Sequence, residues 1–364
     1  MKILLTGSAG YIGTMTAPVL ADRGHEVVGL DTGYYADGWL YHGVTMQPKQ
    51  IVRDIRNVTR ADLEGFDAVV HMAELSNDPL GELYPGITHE INHRGTLALA
   101  ETARAAGVER FVYMSSCSVY GIGAADVVDE LSPVNPQTAY AECKVLVERD
   151  VAPLGNDDFS PTFLRNATAF GASPRMRFDV VLNNLSGLAW STNRIAMTSD
   201  GTPWRPLVHI LDIADAISCV LDAPREAVHG QVFNVGDTRQ NYRVREVAEI
   251  VAEAFPGCEL SFGTNDGDNR SYRVSFDKIA TMLPGFECRR DARFGAHQLH
   301  DVFAAAGITA ADIAARPYTR LRQLQHLIST RQLDAELFWR LDEGLPAGTR
   351  TAGTRTAELN GATP

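Results

Sequence analysis

The chain lacks what a membrane protein, a nucleic-acid binder or a disulfide-stapled fold would need. No apolar run approaches the roughly 20 residues that cross a bilayer. The opening MKILLTG is a short apolar run closed by glycine, without the cleavage site of a secretory leader. A cytoplasmic protein with no membrane partner is therefore expected. Basic charge is scarce: 33 Lys and Arg stand against 45 Asp and Glu, a net charge of −12, with a pI near 5.3. That is the wrong sign for a nucleic-acid surface, although local arginines can still hold a small anion. The five cysteines, Cys117, Cys143, Cys219, Cys258 and Cys288, are scattered with no C-x-x-C pair. Reduced thiols are expected, with neither a disulfide framework nor a metal site. What is present is 364 residues, 45% of them apolar, enough for one large core or two modest domains.

The first 165 residues alternate short β-branched runs with longer helical patterns. KILLTG, HEVVGLD, FDAVVHMA, RFVYMSS and PTFLRN read as strands. Between them YIGTMTAPVLADRG, ITHEINHRGTLALAETARAAG and AYAECKVLVERDV carry apolar residues at helical spacing. Alternation of this kind implies parallel strands with right-handed crossovers, an α/β fold of the Rossmann type with a doubly wound sheet. This core spans 1–165, with returns around 205–240. Residues 166–296 read mainly as a smaller, mixed C-terminal lobe over the strand ends, because 172–204 and 256–296 are rich in Gly, Pro, Asp and Arg. Residues 297–340 read as a helical extension ending in the amphipathic LDAELFWRL, and 341–364 as a flexible tail.

Directly after the first strand, TGSAGYIG supplies Gly7, Gly10, Tyr11, Ile12 and Gly13 at the start of a helix. Without side chains the backbone turns sharply and approaches a pyrophosphate, whose charge sits at the helix N-terminus. Asp31 ends the second strand, where a carboxylate accepts both ribose hydroxyls and repels a 2′-phosphate, favouring NAD over NADP. The alternative for Asp31 is a strand-end turn residue. Asp54 and Ile55 end the next short strand and either read an adenine edge or form a surface turn. Tyr140 and Lys144 in AYAECK are four residues apart and share one helical face. A nearby ammonium favours the phenolate of a tyrosine that otherwise ionises near pH 10. Such a tyrosine can take a proton from a sugar hydroxyl.

Together TGSAGYIG, HMAE, SSCSVYG and YAECK resemble the extended short-chain dehydrogenase/reductase family, in its nucleotide-sugar epimerase/dehydratase branch, over about residues 1–290. The resemblance implies that Ser116 orients the reacting hydroxyl, Tyr140 is the acid/base and Lys144 supports the phenolate and the nicotinamide ribose. It places Met72, Ala73 and Ser115 beside the cofactor. Asn92 in INHRGT either joins them or caps and packs. Arg205 and Arg270 match positions that hold a nucleotide diphosphate, against the alternative of solvated surface arginines. Arg175, Arg177 and Asn183 are further candidates in the substrate lobe. A homodimer through the helices around 85–106 and 138–154 is also implied.

Departures from the family pattern bear on the reaction. Dehydratases of this branch carry an Asp-Glu pair directly after the catalytic Ser or Thr; here those positions hold Cys117 and Ser118. Cys117 is either a proton donor or a small core filler. Glu74 stands where the family has a small residue and is either a substrate contact and extra base or a solvated turn residue. Thr168 replaces an expected Asn on the sugar side. The reading is an NAD-dependent epimerase acting on a nucleotide-diphosphate sugar through a transient keto-sugar, at C4 of a hexose. The alternatives are a net oxidoreductase with the same three residues, a dehydratase using Cys117 or Glu74, and a non-catalytic NAD sensor.

Overall fold

The computed structural model describes residues 1–340 apart from 77, 123–125 and 265–270. The expected tail 341–364 and the candidate Arg270 lie outside the described residues. The strands are β1 (Lys2–Thr6), β2 (Glu26–Asp31), β3 (Lys49–Val52), β4 (Ala68–His71), β5 (Arg110–Ser116), β6 (Ser160–Asn166), β7 (Thr168–Phe170), β8 (Arg194–Ala196), β9 (Trp204–His209), β10 (Val232–Val235), β11 (Asn241–Arg243) and β12 (Glu259–Ser261). The longer helices are α1 (Gly13–Asp22), α2 (Thr96–Ala105), α3 (Ala139–Val151), α4 (Val181–Thr192), α5 (Ile210–Asp222), α6 (Val244–Ala254), α7 (Ala292–Ala305) and α8 (Arg320–Ser329).

Seven strands form one parallel sheet in the order β10-β6-β5-β4-β1-β2-β3. Their side chains obey the period of two. Ile3, Leu5, Val70, Val112 and Met114 enter one apolar layer with Leu20 of α1 and Ile217 of α5. Leu4, Val69, Phe111 and Tyr113 enter the opposite layer with Leu99 of α2 and Val147 of α3. Both faces are covered, so the strands read as continuous apolar runs. Strand order reverses between β1 and β4, and at such a switch point the strand ends open a crevice for ligands. A third apolar cluster joins Phe178, Leu182, Val247, Val251, Leu299 and Phe303. Beside it lie the mixed sheet β11-β9-β7 and the pair β12-β8. None of these short strands stood out in the loosely patterned sequence after Arg165.

Two expectations are corrected. The helix over 87–107 is interrupted by a π-helical segment, His89–Gly95, which turns buried Asn92 onto the backbone of Leu75; such bulges are common at functional sites. Residues 330–340 are not helical. Arg331 and Leu337 have φ of 58° and 63°, and Leu333 pairs with Trp339 in an antiparallel bridge. Buried Leu333 and Leu337 are four apart, which mimics a helical stripe, but a return turn brings them together.

Two fully buried histidines set an acid limit on the fold. Thr6 Oγ1 accepts the N–H groups of Met72 and Ala73, so its hydroxyl donates to His71 Nδ1 at 2.7 Å. His71 is then neutral, with Nε2–H donating to Thr96 Oγ1 at 2.8 Å, and burial pulls it from 6.5 to about 3. His209 accepts Leu211 N–H at Nδ1, faces Gln298 Oε1 through Nε2, and burial lowers it to about 4. The unfolded chain binds these protons first, so stability is fully present above pH 6.5 and declines as pH falls toward 3. Each histidine contributes a slope of about 1.4 kcal/mol per pH unit. Urea unfolding between pH 6.5 and 4.5 shows this decline, and His71→Asn reduces its slope.

Candidate active site

A cavity of about 830 Å³ opens at the switch point. Gly7, with φ +71°, leaves β1 so tightly that a Cβ would lie 2.9 Å from Ala73 N; a Cβ on Gly13 would lie 2.3 Å from Gly7 O. The turn is therefore restricted to glycine at both points. It delivers the chain to the N-terminus of α1, where Thr14 N–H bonds Gly10 O at 3.1 Å and Met15 N–H bonds Ile12 O at 3.0 Å; the positive end of the helix dipole there favours an anion. This backbone cradle fits a dinucleotide diphosphate. Asp31 lines the same cavity while accepting Ala9 N–H at 3.1 Å and Gly33 N–H at 2.8 Å. It therefore holds the turn, and a carboxylate keeps further lone pairs that a ribose can use. Burial raises its pKa, opposed by those two N–H groups. Asp54 and Ile55 also line the cavity, though the Asp54 carboxylate is gripped by Arg56 at 2.7 and 2.9 Å.

The catalytic candidates converge at the other end. Thr138 caps α3 by accepting Ala141 N–H, which starts the helix one residue before Tyr140 and sets Tyr140 over Lys144. The Lys144 ammonium is 5.2 Å from the Tyr140 ring centre and 4.6 Å from that of Tyr113. It is 3% exposed, forms an ion pair with the equally buried Glu74 Oε2 and donates to Met114 O. Tyr113 donates to the other Glu74 oxygen at 2.7 Å. Burial pushes the Glu74 carboxyl up, and Lys144 and Tyr113, one donor on each oxygen, draw it back down. Burial alone would disfavour the ammonium, but Glu74 and Tyr140 outweigh it and hold Lys144 charged. Tyr140 is pushed up by burial, drawn down by Lys144 and pushed up again by Glu74. Glu74, one residue beyond Ala73 after β4, lines the cavity but is paired and so neither solvated nor a free base.

The two serines separate by strand alternation. Ser115 donates to Glu148 at 2.5 Å, and Glu148 is held by Arg165; its hydroxyl is committed to the scaffold although the residue borders the cavity. Ser116 Oγ accepts Ser118 N–H at 3.1 Å and retains its own proton to donate. Tyr11, Ile12, Met72, Ala73, Thr168, Arg177 and Arg205 also line the cavity. Arg177 is clamped by Asp179 and reaches Ser76 after β4.

Four candidates fall elsewhere. Cys117 is 1% exposed, directs Sγ to Arg165 O at 3.2 Å and packs in the core; burial pushes its thiol far up, which removes it as a substrate contact. Asn92 ties the π-helical segment to Leu75. Asn183 joins Gly171 N–H, the Tyr11 hydroxyl and Arg177 O. Arg175 donates to the carbonyls of Tyr35, Ala36 and Gly38. Each satisfies buried backbone rather than facing the cavity. Missed were Tyr34, Tyr35, Asp179 and Arg320, which do line it. Tyr34 and Tyr35 could have been found as the third and fourth residues after Asp31; Arg320 belongs to no local motif.

A glycine cradle at the switch point, an acid at the end of β2 and a Tyr-Lys helix pair in one cavity define a dinucleotide-dependent enzyme class on a doubly wound sheet. The family model of the NAD dependent epimerase/dehydratase family matches residues 3–236. The chain is 30% identical over 268 residues to a UDP-glucose 4-epimerase of Corynebacterium glutamicum, spanning 70% of this chain and 80% of that one. It is 33% identical over 266 residues to a UDP-glucose 4-epimerase of Mycolicibacterium smegmatis, spanning 70% and 82%. A solved structure, MoeE5 in complex with UDP-glucuronic acid and NAD, matches with a TM-score of 0.70 at 27% identity, over 84% of this chain and 100% of that one. The chain belongs to the NAD dependent epimerase/dehydratase family.

Removing one member of a buried ion pair leaves the other uncompensated. Glu74→Ala is expected to cost about 3–5 kcal/mol in urea unfolding. Glu74→Gln removes the negative charge that opposes Tyr140 ionisation, so tyrosinate absorbance attributable to Tyr140, by difference from Tyr140→Phe, should appear at lower pH.

Proposed function

We propose that the protein is a nucleotide-sugar 4-epimerase acting on a nucleoside-diphosphate hexose, with UDP as the favoured nucleotide because the curated relatives are UDP-glucose 4-epimerases. The observation that carries this reading is the cavity's acid–base inventory. Tyr140 and Ser116 are available, whereas both candidate dehydratase groups are committed: Cys117 to the core and Glu74 to Lys144 and Tyr113.

In this reading Ser116 donates to the reacting hydroxyl oxygen or accepts from it as the proton moves. Tyr140 removes the hydroxyl proton and later returns it, and Lys144 offsets the charge that develops on the phenol. NAD, when bound, supplies reversible hydride acceptance at the sugar carbon, and it would be held by Gly7, Gly10, Gly13 and Asp31. Arg205, and Arg270 beyond the described residues, are the proposed partners of the sugar-nucleotide diphosphate, with Thr168 on the sugar side. A guanidinium fork suits that group. A homodimer packed through α2 and α3 belongs to the same proposal.

Purified protein supplied with a panel of nucleoside-diphosphate hexoses should interconvert one C4 pair, read by NMR of the products. Tyr140→Phe should lower turnover about 10²–10⁴-fold, and Cys117→Ala should leave it at the wild-type level. Loss of water from the sugar would contradict the epimerase reading, as would failure of the whole panel.

A further inference from the structure

The extension after α7 is built onto the cofactor end of the molecule. Trp339 donates to Thr32 O at 2.7 Å, Tyr34 donates to Leu337 O at 2.5 Å, and Gln323 donates to Tyr34 O at 2.9 Å. Arg316 pairs with Asp37 at 3.1 Å, and Arg56 lies over the Phe338 ring at 3.8 Å. These contacts fasten the segment that follows Asp31. They also carry Arg320, the first residue of α8, into the wall of the cavity.

Arg320 is poorly compensated for a buried guanidinium. It is 5% exposed and stacks over the Tyr35 ring at 4.0 Å. Among the described residues its one hydrogen bond is a long one to Arg175 O, 3.4 Å, and no carboxylate lies within ion-pair distance. Burial depresses its pKa to about 10, with Tyr35 giving the largest relief, Arg177 adding repulsion, and Asp179 and Asp31 giving further relief. Arg165 and Arg177, also largely buried, each have a carboxylate on the guanidinium. A buried cation without its anion is costly, and this one borders a cavity whose glycine turn is shaped for phosphate.

We propose that Arg320 is a phosphate-binding residue for the dinucleotide, delivered by the C-terminal extension to the adenosine end of the cofactor cavity. This rests on the cofactor reading given above. Arg320 senses the charges of both Asp31, the proposed ribose acid, and Arg177, and the diphosphate is the dinucleotide's anionic group next to that ribose. The bound phosphate replaces the missing carboxylate, so cofactor binding and docking of the extension reinforce one another.

The test uses full-length protein stripped of nucleotide, and compares wild type with Arg320→Met, which keeps an unbranched stem against Tyr35, and with Arg320→Lys. Titration calorimetry with adenosine, ADP, NAD, NADP and UDP separates the sources of phosphate. ADP and NAD should bind about 10- to 100-fold more weakly to Arg320→Met, with adenosine and UDP unchanged and Arg320→Lys intermediate. The thermal midpoint of stripped Arg320→Met should equal or exceed that of wild type, because an uncompensated charge has been removed. Equal losses for adenosine and ADP would overturn the proposal, as would a lowered midpoint, each marking a structural arginine. So would weakening confined to UDP, which assigns the residue to the sugar nucleotide, or confined to NADP, which makes it a reader of the 2′-phosphate. If wild type binds NAD and the variants bind it equally, only this inference fails; if wild type does not bind NAD, the cofactor reading fails with it.

Discussion

The Lys144–Glu74 pair is the interaction on which the arrangement of the cavity depends. Two opposite charges, each 3% exposed, have left water, and such a pair persists only where geometry and further hydrogen bonds repay the desolvation. Here the repayment comes from three elements at once. The carboxylate comes from the loop after β4, the ammonium from α3, and the Met114 carbonyl and Tyr113 hydroxyl from β5. The pair therefore sets the distance between the helix that carries Tyr140 and the strand that carries Ser116. It also sets the charge that Tyr140 experiences: Lys144 favours the phenolate, and Glu74 takes back part of that help. A lysine held this way is a fixed, partly neutralised cation, suited to balancing a proton that leaves and returns within one turnover.

Around that pair, the structure spends its buried polar side chains on backbone groups that the irregular loops leave exposed. Asn92, Asn183 and Arg175 each satisfy such groups, and the Tyr11 hydroxyl donates to Gly171 O at 2.7 Å. These contacts hold the loop after β4, the loop after β7 and the segment after β2 in register around the cavity. They position a site whose walls come from distant parts of the chain, Gly7 and Arg320 being 313 positions apart.

Features whose chemistry is local were legible in the sequence. Gly7 and Gly13 sit where a strand passes directly into a helix, Asp31 closes a strand at a readable distance, and Tyr140 and Lys144 share a helical face by arithmetic alone. The parallel sheet followed from alternation of strand and helix. What could not be read was the direction of a polar side chain. Ser115 precedes Ser116 by one residue and binds Glu148, because neighbouring positions on a strand face opposite sides. Cys117 follows Ser116 by one yet turns into the core, because the strand ends at Ser116 and a 3-10 turn over Cys117–Tyr120 begins there. Glu74 looked like a surface glutamate or a base because its partners, Tyr113 and Lys144, are 39 and 70 positions away in the chain. Leu333 and Leu337 imitated a helical stripe inside a return turn. Arg320 carries no local signal at all; its position exists only once α8 has docked beside Tyr35.

The account centres on a reaction in which the sugar's own hydrogen leaves C4 and returns to the same carbon on the opposite face. UDP-glucose labelled with deuterium at C4, equilibrated by the holoprotein in ordinary water, tests it most directly. The account predicts that the epimer keeps the label at C4 and that added NAD is not consumed in proportion to product. Loss of the label to solvent, or equimolar consumption of NAD, would contradict it.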